Sequence, residues 1–194
     1  MSHASIVRVP REDRESVYAT LTSAFSDDPV ERWMYSADAS YHEHFPRFVH
    51  AFGGAAFDAG TVWGTADLAA VALWLPPGAE ADDDAIVTVL SGSVATSKQA
   101  DTFSVLDQMA DAHPTYPHWY LPWLGVSRGS RGNGLGTQLL AACLDLVDTD
   151  HLPAYLETPN PRTIPLYNRH GFQVVGEAQA GACPPISFML RPAR

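Results

Sequence analysis

Residues 119–147 constrain this chain more than any other stretch. Trp119-Tyr120-Leu121-Pro122-Trp123-Leu124-Gly125-Val126 is rich in aromatic and branched side chains and predicts a strand. A polar, glycine-rich loop follows over residues 127–133. Leu135, Leu139, Cys143 and Val147 then recur every four residues, with Leu140 and Leu144 beside them, which predicts a helix with a buried face. A strand that turns through glycines into a helix makes an anion site. The first N–H groups of the helix have no intrahelical acceptor, and its dipole favours negative charge. Gly132, Gly134 and Gly136 let the backbone approach a ligand without Cβ clashes. Arg128 and Arg131 add charge nearby, so phosphate is the natural ligand.

The glycine spacing sorts the phosphate sites this could be. A Walker A loop ends in Gly-Lys-Ser/Thr, and this loop reads Gly136-Thr137 with no lysine. A dinucleotide fingerprint places G-x-G-x-x-G directly after the strand. Here the third glycine falls at Gly136 rather than at position 137, and the lead-in over residues 127–131 is too long for that tight turn. Glu157 does fall at a strand end downstream, as a ribose-binding acid would, so the dinucleotide reading keeps one point in its favour. The third pattern, R/Q-x-x-G-x-G/A, is matched by Arg131-x-x-Gly134-x-Gly136.

The remaining segments fill in a single mixed α/β domain. Residues 5–9 alternate as a first strand, and residues 11–25 form a polar helix with Val17, Leu21 and Phe25 on one face. Asp27-Asp28-Pro29 is a helix start, a capping carboxylate followed by proline at the first helical position. A second helical stretch covers residues 41–58. Residues 61–63 and 70–75 read as two strands turning near Asp67. Asp82-Asp83-Asp84 opens further helices that run to Ala112, carboxylates meeting the positive end of the dipole. Residues 153–156 form a short strand ending at Glu157, and residues 161–170 a short helix closed by Gly171. Residues 172–175 and 186–190 are the final strands.

Composition narrows the partners. A length of 194 residues with 46% hydrophobic content suits one domain with a sizeable core. A net charge of -10 argues against nucleic acid, which needs a basic face, and attracts cationic small molecules over long range. Cys143 and Cys183 make neither a disulfide framework nor a zinc set, and Cys143 reads as a core residue. His42, His44 and His50 lack the H-E-x-x-H pattern, so no metal is expected. Residues 1–9 do not form a signal peptide and no apolar run is long enough to span a bilayer, so a cytoplasmic location without membrane contact is expected.

The order over residues 118–172 is strand, glycine loop, long helix, strand, short helix, then Tyr167-Asn168-Arg169-His170-Gly171-Phe172. It resembles the core of the GNAT superfamily of N-acetyltransferases. The wording is similar to the puromycin N-acetyltransferase-like branch in His118-Trp119-Tyr120-Leu121, Leu124-Gly125-Val126-Ser127, Pro153-Ala154-Tyr155-Leu156-Glu157-Thr158, Pro165-Leu166-Tyr167 and Pro184-Pro185. The resemblance implies one GNAT-like domain over residues 1–194, with a central mixed sheet of about six to seven strands flanked by helices. Residues 118–172 would bind acetyl-CoA, and helices mainly within 10–58 and 82–112 would shape the acceptor site. It implies transfer of an acetyl group from acetyl-CoA to a small-molecule amine by direct attack in a ternary complex. A non-catalytic acyl-CoA-binding module on the same fold is the alternative.

The same resemblance assigns residues. Leu124, Gly125 and Val126 would pair with the pantetheine arm, with the N–H of Val126 or its neighbour as an oxyanion donor. Arg131, Gly132, Asn133, Gly134, Leu135, Gly136 and Thr137 would hold the pyrophosphate. Asn160 stands where many relatives contact the cofactor, although Arg162 is followed by Thr163 where the puromycin-type branch more often has asparagine. Tyr167 would lie beside the cofactor sulfur as the acid, since a phenol of pKa about 10 is protonated at neutral pH. An alkyl ammonium, also of pKa about 10, must lose a proton before it attacks. Many relatives carry a carboxylate for this on the strand before the loop. None occurs between His118 and Val126, and Tyr120 stands in its place. Glu157 and His118 are the candidate bases.

Overall fold

The computed structural model describes residues 4–194; residues 1–3, part of the segment read above for a signal peptide, lie outside the described residues. Seven strands form one sheet in the order β1-β2-β3-β4-β5-β7-β6. They are β1 (Ile6–Arg8), β2 (Val62–Thr65), β3 (Ala70–Leu75), β4 (Trp119–Val126), β5 (Ala154–Thr158), β6 (Gln173–Ala178) and β7 (Ile186–Arg191). Every neighbouring pair is antiparallel except β4 and β5. The exception follows from the chain between them, because a parallel partner needs a crossover and the leucine-rich helix supplies it. That helix is α7 (Leu135–Val147).

The other helices are α1 (Arg14–Ala24), α2 (Pro29–Met34), α3 (Asp38–Gly53), α4 (Ala55–Ala59), α5 (Asp83–Ser93), α6 (Thr96–Ala112) and α8 (Ile164–Arg169). Asp28 caps α2 by accepting from the N–H groups of Val30 and Glu31 at 3.0 and 3.3 Å, and Asp82 caps α5 through Ala85. Helix α8 is shorter than the expected 161–170 span. The Asn160 side chain accepts from the Arg162 N–H, and the Thr163 hydroxyl donates to the Asn160 carbonyl, so a side-chain-closed turn precedes the helix. Strand β6 reaches Ala178, beyond the expected 175, because β7 supplies hydrogen-bonding partners along that length.

The helices sort onto two faces of the sheet. Leu21, Tyr41, Phe45, Leu73 and Trp123 belong to a core between the sheet and the early helices. Leu139, Leu140, Cys143, Trp74, Tyr167 and Phe172 belong to a second core under α7 and α8. Gly125 lets α1 lie directly on β4. A Cβ there would sit 2.8 Å from both Ala24 Cβ and Leu21 Cδ2. No helix among the described residues is long and apolar enough to cross a membrane.

Candidate active site

The site forms where the sheet fails to close. Strands β4 and β5 pair only through Trp119 with Ala154 and Tyr120 with Tyr155. Beyond Tyr120 they part, and a cavity of about 380 Å³ opens, walled by β4 residues 120–126, by Glu157, Thr158 and Asn160, and by Tyr167 of α8. A bulge starts the divergence. Leu73 opposes Trp123, yet Leu75 opposes Tyr120, so β4 carries an extra residue at Leu121-Pro122. Pro122 has no N–H to give the ladder and is tolerated at such an irregularity.

The backbone of β4 beyond the bulge faces both ways. Ser127 donates its N–H to the Ala69 carbonyl at 2.8 Å, which puts alternate residues Ser127, Gly125 and Trp123 toward β3. By the same alternation Leu124 and Val126 turn their N–H and C=O groups toward the open cleft. The strand edge that β5 leaves bare is therefore a row of peptide groups available to an extended ligand.

At the far end of β4 the glycine loop enters α7. Gly132 and Gly134 take left-handed backbone angles, φ 81° and 76°, and Gly134 is the N-cap with no side chain bonded over the first turn. A Cβ at Gly136 would meet Val126 Cγ2 at 3.4 Å, so this glycine keeps α7 close to β4. Leu135, Gly136 and Thr137 present the first-turn N–H groups, and the space beside Gly132 is open. An uncapped, glycine-lined helix start of this kind fits a pyrophosphate group. The Arg131 side chain does not reach into that space. It makes a paired contact with Asp27, 2.7 Å on each side, and also donates to the Ala24 carbonyl. The guanidinium beside Asp27 lowers that carboxyl below its usual range. Arg131 thus ties the glycine loop to the end of α1. The Asn133 side chain closes the loop on itself through the Ser130 carbonyl at 3.2 Å.

Two titratable groups named from the sequence, Tyr167 and Glu157, line the cavity. Tyr167 is 7% exposed, packed edge-on against Phe172, and burial alone raises its phenol pKa. It holds its proton at neutral pH. Glu157, whose side chain is 6% exposed, lies on the same strand face as Tyr155. Burial first, and the Glu157 charge second, push the phenols of Tyr120 and Tyr155 upward. The Tyr155 hydroxyl is buried without a partner. β4 carries no carboxylate, and the buried carboxylate in this wall is Glu157 of β5, next to Tyr120.

Glu157 connects to a pair of histidines, one of which the sequence reading passed over. His113 Nδ1 lies 3.7 Å from Glu157 Oε1, and His113 Nε2 lies 3.0 Å from His118 Nε2. His118 Nδ1 is 2.8 Å from the Tyr116 carbonyl. A carbonyl only accepts, so His118 donates from Nδ1 and its Nε2 accepts from His113. With its Nε2 hydrogen given to His118, His113 turns Nδ1 toward the Glu157 carboxylate. Burial lowers the His118 pKa, which keeps it neutral at pH 7. His113 sits in the loop before β4. Its only signal in the sequence is a histidine five residues ahead of His118, at the foot of the strand that leads to the glycine loop.

Two further histidines make structural hydrogen bonds. His42 bonds the Asp38 carbonyl at 2.8 Å, and His50 bonds the Tyr18 hydroxyl at 2.7 Å. Among the described residues no three His, Cys, Asp or Glu side chains gather as a metal site. Cys143 is buried beneath α7 as expected, whereas Cys183 reaches the cavity wall.

A seven-stranded mixed sheet that splays beside a glycine loop and a helix start is the GNAT fold, and its solved examples match along the whole chain. An acetyltransferase structure from Corynebacterium glutamicum, described as histone acetyltransferase HPA2 and related acetyltransferase, shares 25% identity at a TM-score of 0.70, covering 100% of this chain and 98% of that one. Arylalkylamine N-acetyltransferase 2 from Aedes aegypti superposes with a TM-score of 0.70 at 12% identity, covering 100% of both chains. An uncharacterized N-acetyltransferase of Schizosaccharomyces pombe is 26% identical over 215 residues, covering 95% of this chain and 81% of that protein. The model of the Acetyltransferase (GNAT) family matches residues 15–172, so this chain belongs to that family.

Proposed function

We propose that the chain transfers the acetyl group of acetyl-CoA to the amine of a small molecule by direct attack within a ternary complex. The observation that carries this reading is the cleft between β4 and β5, which brings a protonated phenol and a carboxylate to one cavity beside an uncapped helix start, with His113 3.7 Å behind the carboxylate. Acetyl-CoA, when bound, supplies an acetyl thioester at the middle of that cleft. The N–H groups of Gly132, Gly134, Leu135, Gly136 and Thr137 hold the pyrophosphate, with Arg131 and Asn133 shaping the loop. Leu124 and Val126 pair with the pantetheine arm across the bare strand edge, Gly125 sets the height of α1 above them, and Asn160 closes the opposite rim. The Val126 N–H is the oxyanion donor.

Protons move between two stations. Glu157 takes a proton from the incoming ammonium, and His113 shares it through Nδ1. His113 can pass its Nε2 proton to His118, which releases one to water. Tyr167 holds a proton on its hydroxyl that it gives to the departing sulfur, a thiol of pKa about 8.5 that leaves more readily when protonated. The resemblance to the puromycin branch supports including that aminonucleoside among the acceptors tried.

Calorimetry with acetyl-CoA and a thiol-release assay across an amine panel test the reading together. Micromolar binding with release on some amines is expected. An absence of acetyl-CoA binding overturns it, and binding without release on any amine identifies an acyl-CoA-binding module instead.

A further inference from the structure

Helix α2 begins under Asp28 and places Glu31 in the wall of the same cavity. Glu31 is 4% exposed. Its Oε2 is buried and meets no hydrogen-bond partner. No lysine, arginine or histidine forms an ion pair with it among the described residues. The titratable groups around it are Asp28 and Tyr35 at the two ends of α2, Tyr41 of α3 and Cys183 in the loop before β7, and none is a cation. The nearby cations are committed elsewhere. Arg32 bonds Asp38 and the Ser36 carbonyl, while Lys98 donates to the Trp33 carbonyl and lies over the Trp33 ring.

Burial, and after it the Asp28 charge, raise the Glu31 pKa well above the usual carboxyl range, so the wall holds a protonated acid that an incoming cation recharges, and this acid lines an open cavity rather than a filled core. Phe48, Phe52, Val105, Met109 and Trp123 give the cavity that Glu31 and Glu157 both line a largely apolar wall. A ligand that satisfies both ends needs a cation at each and a hydrocarbon or aromatic stretch between. We infer that Glu31 is the receptor for a second cationic group on the acceptor, so that the substrate class is a diamine or an amine bearing a guanidinium, joined by an apolar spacer. This rests on the acetyl-transfer reading above for the reacting end of the molecule. The net charge of -10 draws dications to the site before any contact is made.

The test compares α,ω-diaminoalkanes of increasing length with terminal monoamines of the same carbon count, first by thermal shift without acetyl-CoA and then by thiol release. A charge-assisted contact predicts roughly a ten- to hundredfold higher kcat/KM for the diamine at one preferred length. It also predicts stabilisation of the protein by that diamine alone. Glu31→Gln is expected to bring the diamine-to-monoamine ratio close to one. Glu31→Asp keeps the charge on a shorter stem and is expected to move the optimum to a longer spacer, which separates recognition from loss of folding. Equal kcat/KM for matched pairs, or a ratio that survives Glu31→Gln, overturns the inference while leaving acetyl transfer intact. If no amine is acetylated, the transfer reading fails and the thermal shift decides alone: equal stabilisation by both amines overturns the diamine site.

Discussion

At the scale of single residues the two proton stations make separable predictions. Tyr167→Phe removes one oxygen from a buried ring and is expected to lower kcat by about a hundredfold or more, with the acetyl-CoA Kd from calorimetry unchanged. Equal turnover would remove Tyr167 from the reaction. His113→Ala is expected to slow turnover roughly tenfold to a hundredfold near neutral pH, and the deficit to shrink as pH rises toward the amine pKa of about 10. There the amine arrives already neutral. A deficit constant across the pH–rate profile would make His113 structural. The residues of this centre were unequally legible. Tyr167 and Glu157 carried a motif and a strand end. His113 did not, because its role depends on His118 and on Glu157 across the sheet, a proximity that no local pattern encodes. Arg131 was legible as a loop cation, but its partner Asp27 lies 104 positions away and turns the side chain toward the end of α1.

At the scale of elements, α1 and α2 set the site through close packing and capping. Gly125→Ala forces a methyl against Ala24 and Leu21 and is expected to cost about 1–3 kcal/mol in urea unfolding. It also lifts α1 from β4, and acetyl-CoA binding should weaken with it. Asp28 has the opposite electrostatic sign from most capping carboxylates. Burial raises its pKa from 3.8 to about 6. A carboxyl whose folded pKa is raised contributes its stability below the unfolded value and loses it as pH climbs through the folded one. Asp28→Asn keeps a capping oxygen without the charge. Its stability relative to the parent chain is therefore expected to improve between pH 4 and pH 7, by about 3 kcal/mol at most. A pH-independent difference in urea midpoints would contradict the assignment. The elements themselves were mostly readable. The four-residue repeat of α7 and the Asp-Pro start of α2 appear where the pattern puts them. The bulge at Leu121-Pro122 was not readable, because it is defined by register against β3 rather than by anything in β4 alone.

At the scale of the whole molecule, the C-terminal strand is fastened to the crossover helix by one buried cation. Arg191 is 2% exposed, donates to the His170 carbonyl at 2.8 Å and pairs with Asp148 at the end of α7. Arg191→Ala strands the Asp148 carboxylate and the His170 carbonyl, and a loss of about 3–5 kcal/mol is expected. Calorimetric melting would register it as a fall in Tm of roughly 6–20 °C for a chain of this size. A Tm within a degree or two of the parent would show the fastening to be dispensable.

The divergence of β4 from β5 has a further consequence, for how the molecule breathes. Two registered pairs are all that join the meander β1-β2-β3-β4 to the meander β5-β7-β6. Peptide groups along such a seam exchange with solvent through small openings, whereas those inside each meander wait for larger ones. A ligand threaded along the bare edge of Leu124 and Val126 acts as a temporary eighth strand. Its arrival would be recorded as slowed amide exchange along the seam, and the two halves of the sheet would then open as one cooperative unit.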